Sequence, residues 1–252
     1  MNNKRPSWIE QECARSVEIE RETIEVLGEE KAGFFITAAN DCATVSVAAY
    51  KAYPVDQGFD IMLLMLWGLF KEACRCHTFF VTGNYPWLIS RLRFIWESIF
   101  RAYFVKHYPM GPCRKWDLPG STTEEQMMWL DKHGDKLNVD RCIEPVLLAV
   151  FPQAAGNQSI LDDCKALFKY LHRYAHLSAY LLDRQMDHPA LLLTDDLDEH
   201  WARETLEIGA KVFALVWMAV FAHYPDAFEL VEPLEGKYPV VSEVFEREKA
   251  EM

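Results

Sequence analysis

Between Trp87 and Phe104 the chain is apolar on almost every side, yet Arg93, Glu97 and Arg101 recur inside it at four-residue intervals. At about 100° per residue, that spacing puts the three charges on one ridge of a helix. Leu92, Trp96, Ile99 and Tyr103 fall on the other side, while Phe94, Phe100, Phe104 and Val105 flank the ridge itself. So much apolar surface on one helix can be buried only among other helices, which constrains the chain to a multi-helix bundle with this segment inside it. The ridge is then expected to be at least partly buried. Buried charges are costly unless paired and hydrogen-bonded. Glu97 can reach both arginines, which leaves one positive charge over. A carboxylate from another helix, with Glu72 and Asp183 as candidates, or an anionic ligand is expected to complete the cluster.

The rest of the sequence repeats the helical pattern. The spacing predicts a Glu-rich amphipathic helix from an N-cap at Ser7 to Gly28, and a second from Lys31 to Tyr53 whose alanines 38, 39, 43, 48 and 49 permit close packing. A third is predicted over Phe59–Thr82, stopped by Gly83-Asn84, and a fourth carries the ridge from a first turn at Pro86 to Tyr108-Pro109. Residues 109–123 are rich in Pro and Gly and read as an internal loop. Two shorter helices follow, Thr123–Lys136 and Asp140–Phe151, with Ser121-Thr-Thr-Glu124 as a capping box at the first. Later helices are predicted over Ser159–Met186 and from the acidic start at Asp195 to Tyr224, and residues 235–252 form a tail that frays. The expected architecture is an all-α, single multi-helix bundle covering 1–252 as one domain, with no strand pair and no repeat.

Charge and cysteine usage narrow the function classes. A formal net charge of −12 and no Lys/Arg block longer than a pair, such as Lys4-Arg5, make nucleic acid an unexpected partner. The seven cysteines are odd in number and scattered, as in a reduced, cytoplasmic protein. Cys74-Arg-Cys76-His77 lacks the second ligand pair that a zinc site needs. The first residues show no apolar stretch behind their charges, so no signal peptide is read there. The apolar runs 61–70 and 212–222 are shorter than the roughly 18–20 residues that cross a bilayer, and are expected to be core helices.

His172 and His176 stand one helical turn apart, with Asp183 further along the same stripe. Neutral imidazoles at that spacing can share a metal ion. Lys165 and Lys169 lie on the same face, which disfavours a cation, so a polar outer face is the expectation. No metal and no cofactor is expected. No Glu-x-x-His pair of the di-iron kind occurs in the chain.

Two resemblances rest on these helices. The segment LRFIWESIFRAYFVKHYP, followed by LFKYLHRYAHLSAYL, resembles an uncharacterised prokaryotic, largely archaeal, family of helical proteins. That family combines an Arg-x-x-x-Glu helix with a later helix reading Tyr-Val-His-x-Ser. The matching positions are Arg93, Glu97, His176 and Ser178, with Tyr174-Ala175 in place of Tyr-Val. The resemblance implies no activity. A looser likeness is to HEPN bundles, whose ribonuclease members place a histidine a few residues after an arginine at a dimer interface. Arg101 and His107 have that spacing, with Ala102 where a polar residue is usual.

The sequence therefore supports an interaction or regulatory protein with a buried Arg-Glu-Arg network, expected to be a homo-oligomer and able to receive an anionic ligand. Its candidate site residues are Arg93, Glu97, Arg101 and His176. The alternatives are a HEPN-like ribonuclease using His107 or His176 as general acid/base, and a metal-dependent hydrolase using His172 and His176.

Overall fold

The computed structural model of the chain describes residues 8–53, 60–107, 122–133, 158–175 and 197–228, together with Tyr238. Among the described residues there are nine helices and no strand, so the fold is an all-α bundle. They are α1 (Trp8–Leu27), α2 (Glu29–Ala32), α3 (Phe34–Ala52), α4 (Ile61–Val81), α5 (Tyr85–His107), α6 (Thr123–His133), α7 (Gln158–Ala175), α8 (Glu199–His223) and α9 (Pro225–Phe228). The predicted positions of Ser7, the loop at 109–121, the helix at Asp140–Phe151 and residues 176–196 lie outside the described residues.

Helix α5 occupies the centre, packed against α4, α6, α7 and α8. That location follows from its composition: Leu88, Leu92, Ile95, Trp96, Ile99 and Ala102 are all fully buried. Helix α8 contributes an uninterrupted buried stretch, Val212–Val220. It runs for 25 residues, and by length and composition it could cross a membrane, although the apolar run alone fell short; 67% of its most apolar window is buried by the rest of the chain. The alanines of α3 do allow close approach, with Ala38, Ala39, Ala48 and Ala49 buried. Opposite them Gly209 of α8 meets Phe35 so closely that an added Cβ would sit 2.8 Å from the ring.

Local chemistry sets the helix ends. Gly83 adopts φ 75°, and Asn84 N–H donates to the Phe79 carbonyl at 2.8 Å, a Schellman closure of α4 at the predicted stop. Asp60 caps α4 by accepting from Met62 N–H at 2.7 Å, and Asp198 caps α8 by accepting from Trp201 N–H at 3.0 Å.

Three expectations change. The helix predicted from Lys31 is broken at Gly33, whose ψ of 0° separates α2 from α3. The capping box of α6 is seen at Thr122 and Glu125, one residue later than predicted: Glu125 N–H donates to Thr122 Oγ1 at 3.2 Å, while Thr122 N–H donates back to Glu125 Oε2 at 3.0 Å. The run 61–70 is not wholly core. Leu64 and Trp67 are exposed, Trp67 by 43%, on a stripe continued by Lys71, Arg75 and Thr78. That stripe faces away from α3 and α5, which cover the opposite side of α4. Of residues 235–252 only Tyr238 is described. Tyr238 is buried among Phe34, Phe213 and Trp217, and its hydroxyl donates to Asp41 Oδ2 at 3.0 Å.

Candidate functional site

The four-residue spacing on α5 builds a real network. Arg93 Nε donates to Glu97 Oε1 at 2.5 Å, and Arg101 Nη2 stands 3.3 Å from Glu97 Oε2. One carboxylate thus serves two guanidinium groups, one on each oxygen. Glu97 is only 8% exposed, and the side chains of Arg93 and Arg101 are 16% and 25% exposed. The ridge lies where α5 meets α7: Arg93 Cζ sits 5.8 Å above the Phe168 ring, a cation–π contact that partly replaces lost hydration. Phe168 in turn packs edge-on against Trp96.

The proposed counter-charges do not close the cluster within the described residues. Glu72 is buried, but it pairs with Arg75 and stands 3.6 Å from Arg91, forming a second Arg-Glu-Arg group of its own. Its position explains the difference. Glu72 faces Arg91, which is two residues and about 200° away from Arg93 around α5. Asp183 and His176 lie outside the described residues. The Nε of Arg101 is buried and finds no hydrogen-bond acceptor among the described residues. Those residues therefore give the site two cations, one anion and an unused donor.

The other predicted residues scatter. His172 is exposed, with its ring 6.0 Å from that of Phe168, on the outer face of α7 beside Lys169. Leu171 and Tyr174 of the same helix are buried, as the amphipathic pattern requires. No group of three His, Cys, Asp or Glu side chains capable of holding a metal occurs among the described residues. Cys76 is buried, and burial followed by the nearby Glu72 charge pushes its thiol far up, while Cys164 is pushed up to about 12 by burial and Asp163. Both are inert as nucleophiles. Arg101 and His107 do not converge. Six residues place them about 120° apart around the helix, and Arg101 faces Glu97 whereas His107 faces α8.

Two polar clusters were not predicted as clusters, although His107 of the second was named from its spacing to Arg101. On the α7–α8 contact, Tyr170 donates to Glu204 Oε1 at 2.6 Å and lies 3.0 Å from the Tyr174 hydroxyl. Burial, then the bonds to Glu204 and Tyr174, hold the Tyr170 phenol well above its ordinary range. At the end of the bundle, His107 Nε2 and His223 Nδ1 are 2.8 Å apart, and His223 Nε2 lies 3.3 Å from Asp60 Oδ2. Lys106 Nζ contacts that same oxygen at 2.7 Å. Only Asp60 carried a hint, as an N-cap residue ahead of an apolar run. The histidines are 116 residues apart, a distance at which no local pattern connects them.

Comparison with known proteins adds no identity: no family model, no curated protein and no solved structure matches this chain. The two resemblances therefore rest on the quoted residues alone.

Proposed function

We propose that this chain is a cytoplasmic helical interaction or regulatory protein that receives an anionic group from its partner or ligand at the Arg93–Glu97–Arg101 ridge. The observation that carries this reading is the charge imbalance among the described residues, with two largely buried guanidinium groups on one carboxylate and a buried Arg101 N–H to which none of them offers an acceptor. A carboxylate or phosphate oxygen would supply both the missing charge and the missing acceptor, and guanidinium groups suit either by their planar, forked geometry. The alternative of pure scaffolding would call for a balanced network.

Thermal melting in inorganic phosphate against chloride at matched ionic strength tests the reading. A ligand that binds only the folded chain raises its stability with concentration. Phosphate is expected to raise Tm beyond chloride, and Arg101→Gln is expected to abolish the difference. Equal responses to the two anions, or an undiminished phosphate effect in Arg101→Gln and Arg93→Gln, would refute it. A second reading, a HEPN-like ribonuclease working as a homo-oligomer, is supported by the exposed His107 and its linked partners. Because Arg101 and His107 lie on different sides of α5, it requires arginine and histidine from two copies to meet. RNA cleavage that survives His107→Ala would remove it.

A further inference from the structure

The cluster at the end of the bundle has a direction, which follows from elementary hydrogen-bond chemistry. Asp60 Oδ1 accepts from Met62 N–H at 2.7 Å, and Oδ2 faces Lys106 Nζ at 2.7 Å and His223 Nε2 at 3.3 Å. Burial opposes the Asp60 charge, but the bonds from His223 and Lys106 outweigh it and hold the carboxyl well below its ordinary range. An ionised carboxylate only accepts, so His223 Nε2 must carry a proton. In neutral His223 the other nitrogen, Nδ1, then has the lone pair. It faces His107 Nε2 at 2.8 Å, so that nitrogen must be the donor. The lone pair of neutral His107 is thereby fixed on Nδ1, which no described residue engages and which belongs to an exposed residue.

The surroundings enforce this arrangement. Tyr103 stacks on the His107 ring at 4.3 Å, and Tyr224 stands against the His223 ring at 4.3 Å. Tyr224 also packs on Tyr53, the C-cap of α3, whose hydroxyl donates to Asp226 of α9 at 3.2 Å. Burial, then the neighbouring His223 and Lys106, push His107 down to about 4, while Asp60 pulls the other way. A positive charge is therefore disfavoured on His107, and of the two rings it is His223 that stands against the Asp60 carboxylate.

We propose that Asp60, His223 and His107 form a proton relay open at Nδ1 of His107, a site that accepts a proton from a hydroxyl-bearing ligand or from water. In the step, the ligand O–H bond breaks, the oxygen keeps its electron pair, and a new N–H bond forms at His107 Nδ1. The Nε2 proton of His107 passes to Nδ1 of His223. The charge comes to rest on His223 beside Asp60, and His107 is neutral again with its lone pair on Nε2. The relay is separate from the ridge and does not depend on the function assigned to it.

The test is a pH titration of the full chain with 15N-labelled histidine, read by long-range 1H–15N correlation, with His107→Gln and His223→Gln supplying the assignments. The wild type is expected to hold both histidines in the Nε2–H form at high pH. Asp60→Asn keeps a competent N-cap through its amide oxygen but turns an N–H donor toward His223 Nε2, so His223 should move its proton to Nδ1. Diethyl pyrocarbonate should acylate His107 at Nδ1, severalfold more slowly in His223→Gln. A wild-type His107 with its proton on Nδ1 overturns the proposal whether or not Asp60→Asn folds. An unchanged His223 tautomer in a folded Asp60→Asn overturns it as well.

Discussion

Replacing Glu97 by glutamine keeps the shape of the side chain and deletes the only negative charge that the described residues place against Arg93 and Arg101. Two guanidinium groups would then share a largely apolar crevice against α7. Removing one partner of a fully buried ion pair costs about 3–5 kcal/mol, most of it the penalty on the charge left behind. Here the arginines keep 16% and 25% exposure, so they can turn partly toward water. The expected loss is about 2–3 kcal/mol, which for a chain of this size lowers Tm by about 5–10 °C. Arg101→Gln should behave differently, because it removes the surplus charge and leaves the balanced Arg93–Glu97 pair. Its cost should stay below about 1 kcal/mol. Urea unfolding followed by far-UV circular dichroism and by tryptophan fluorescence measures both, and coincident curves justify a two-state treatment. If Arg101→Gln costs as much as Glu97→Gln or more, the network already holds a second anion and the surplus-charge reasoning fails.

Acid should weaken the fold through the cluster at the bundle end. His107 is depressed from 6.5 to about 4, so between those values the folded chain binds fewer protons than the unfolded one, and stability falls as pH drops through that window. Its exposure limits the effect to about 1 kcal/mol, and Asp60, also depressed, adds a further loss below its ordinary 3.8. His107→Gln should flatten the upper part of this profile in urea titrations at pH 7, 6 and 5. Gly209→Ala should cost about 1–3 kcal/mol in the same assay, because its Cβ would meet the Phe35 ring at 2.8 Å inside a packed core; a neutral result would show that α3 and α8 yield easily. Tyr238→Phe, which takes a donor from the buried Asp41, should cost about 1–2 kcal/mol, and no change in the urea midpoint would mean that the tail residue is not anchored as described.

Helix identity was legible because the core helices announce their own burial. Val212–Val220 is apolar without interruption and Trp96 and Ile99 share the apolar side of α5, and only neighbours on several sides can cover them. Helix ends were legible where one residue decides them, as Gly83 does with its positive φ, and less so where the sequence offers several hydroxyls in a row, as in Ser121-Thr-Thr, of which Thr122 is seen as the cap. The ridge was legible in the same local way. Arg93, Glu97 and Arg101 find one another on a single helix, and their geometry is settled by a period of four. What the sequence could not reveal was which other helix would supply the counter-charge. Glu72 had the right chemistry but pointed at Arg91, because a shift of two residues around α5 changes the face entirely.

The same distinction separates the two polar sites. A network confined to one helix can be read from spacing but has no means of sensing the rest of the fold. The Asp60–His223–His107 cluster draws on α4, α5 and α8, so it exists only when those three helix ends are together. Its proton order depends on both links: separating α8 from α5 breaks the 2.8 Å bond, and separating it from α4 removes the carboxylate that fixes the tautomer. The ionisation of His107 therefore reports the closure of the bundle end, whereas the Arg93–Glu97 bond can persist in an isolated helix. Warming the chain toward unfolding should return the depressed His107 titration to its ordinary range before or together with the loss of tertiary fluorescence, and never after it. A depressed His107 that survived the tertiary transition would mean that its environment forms without the packing of α5 against α8, and the relay would lose its structural basis.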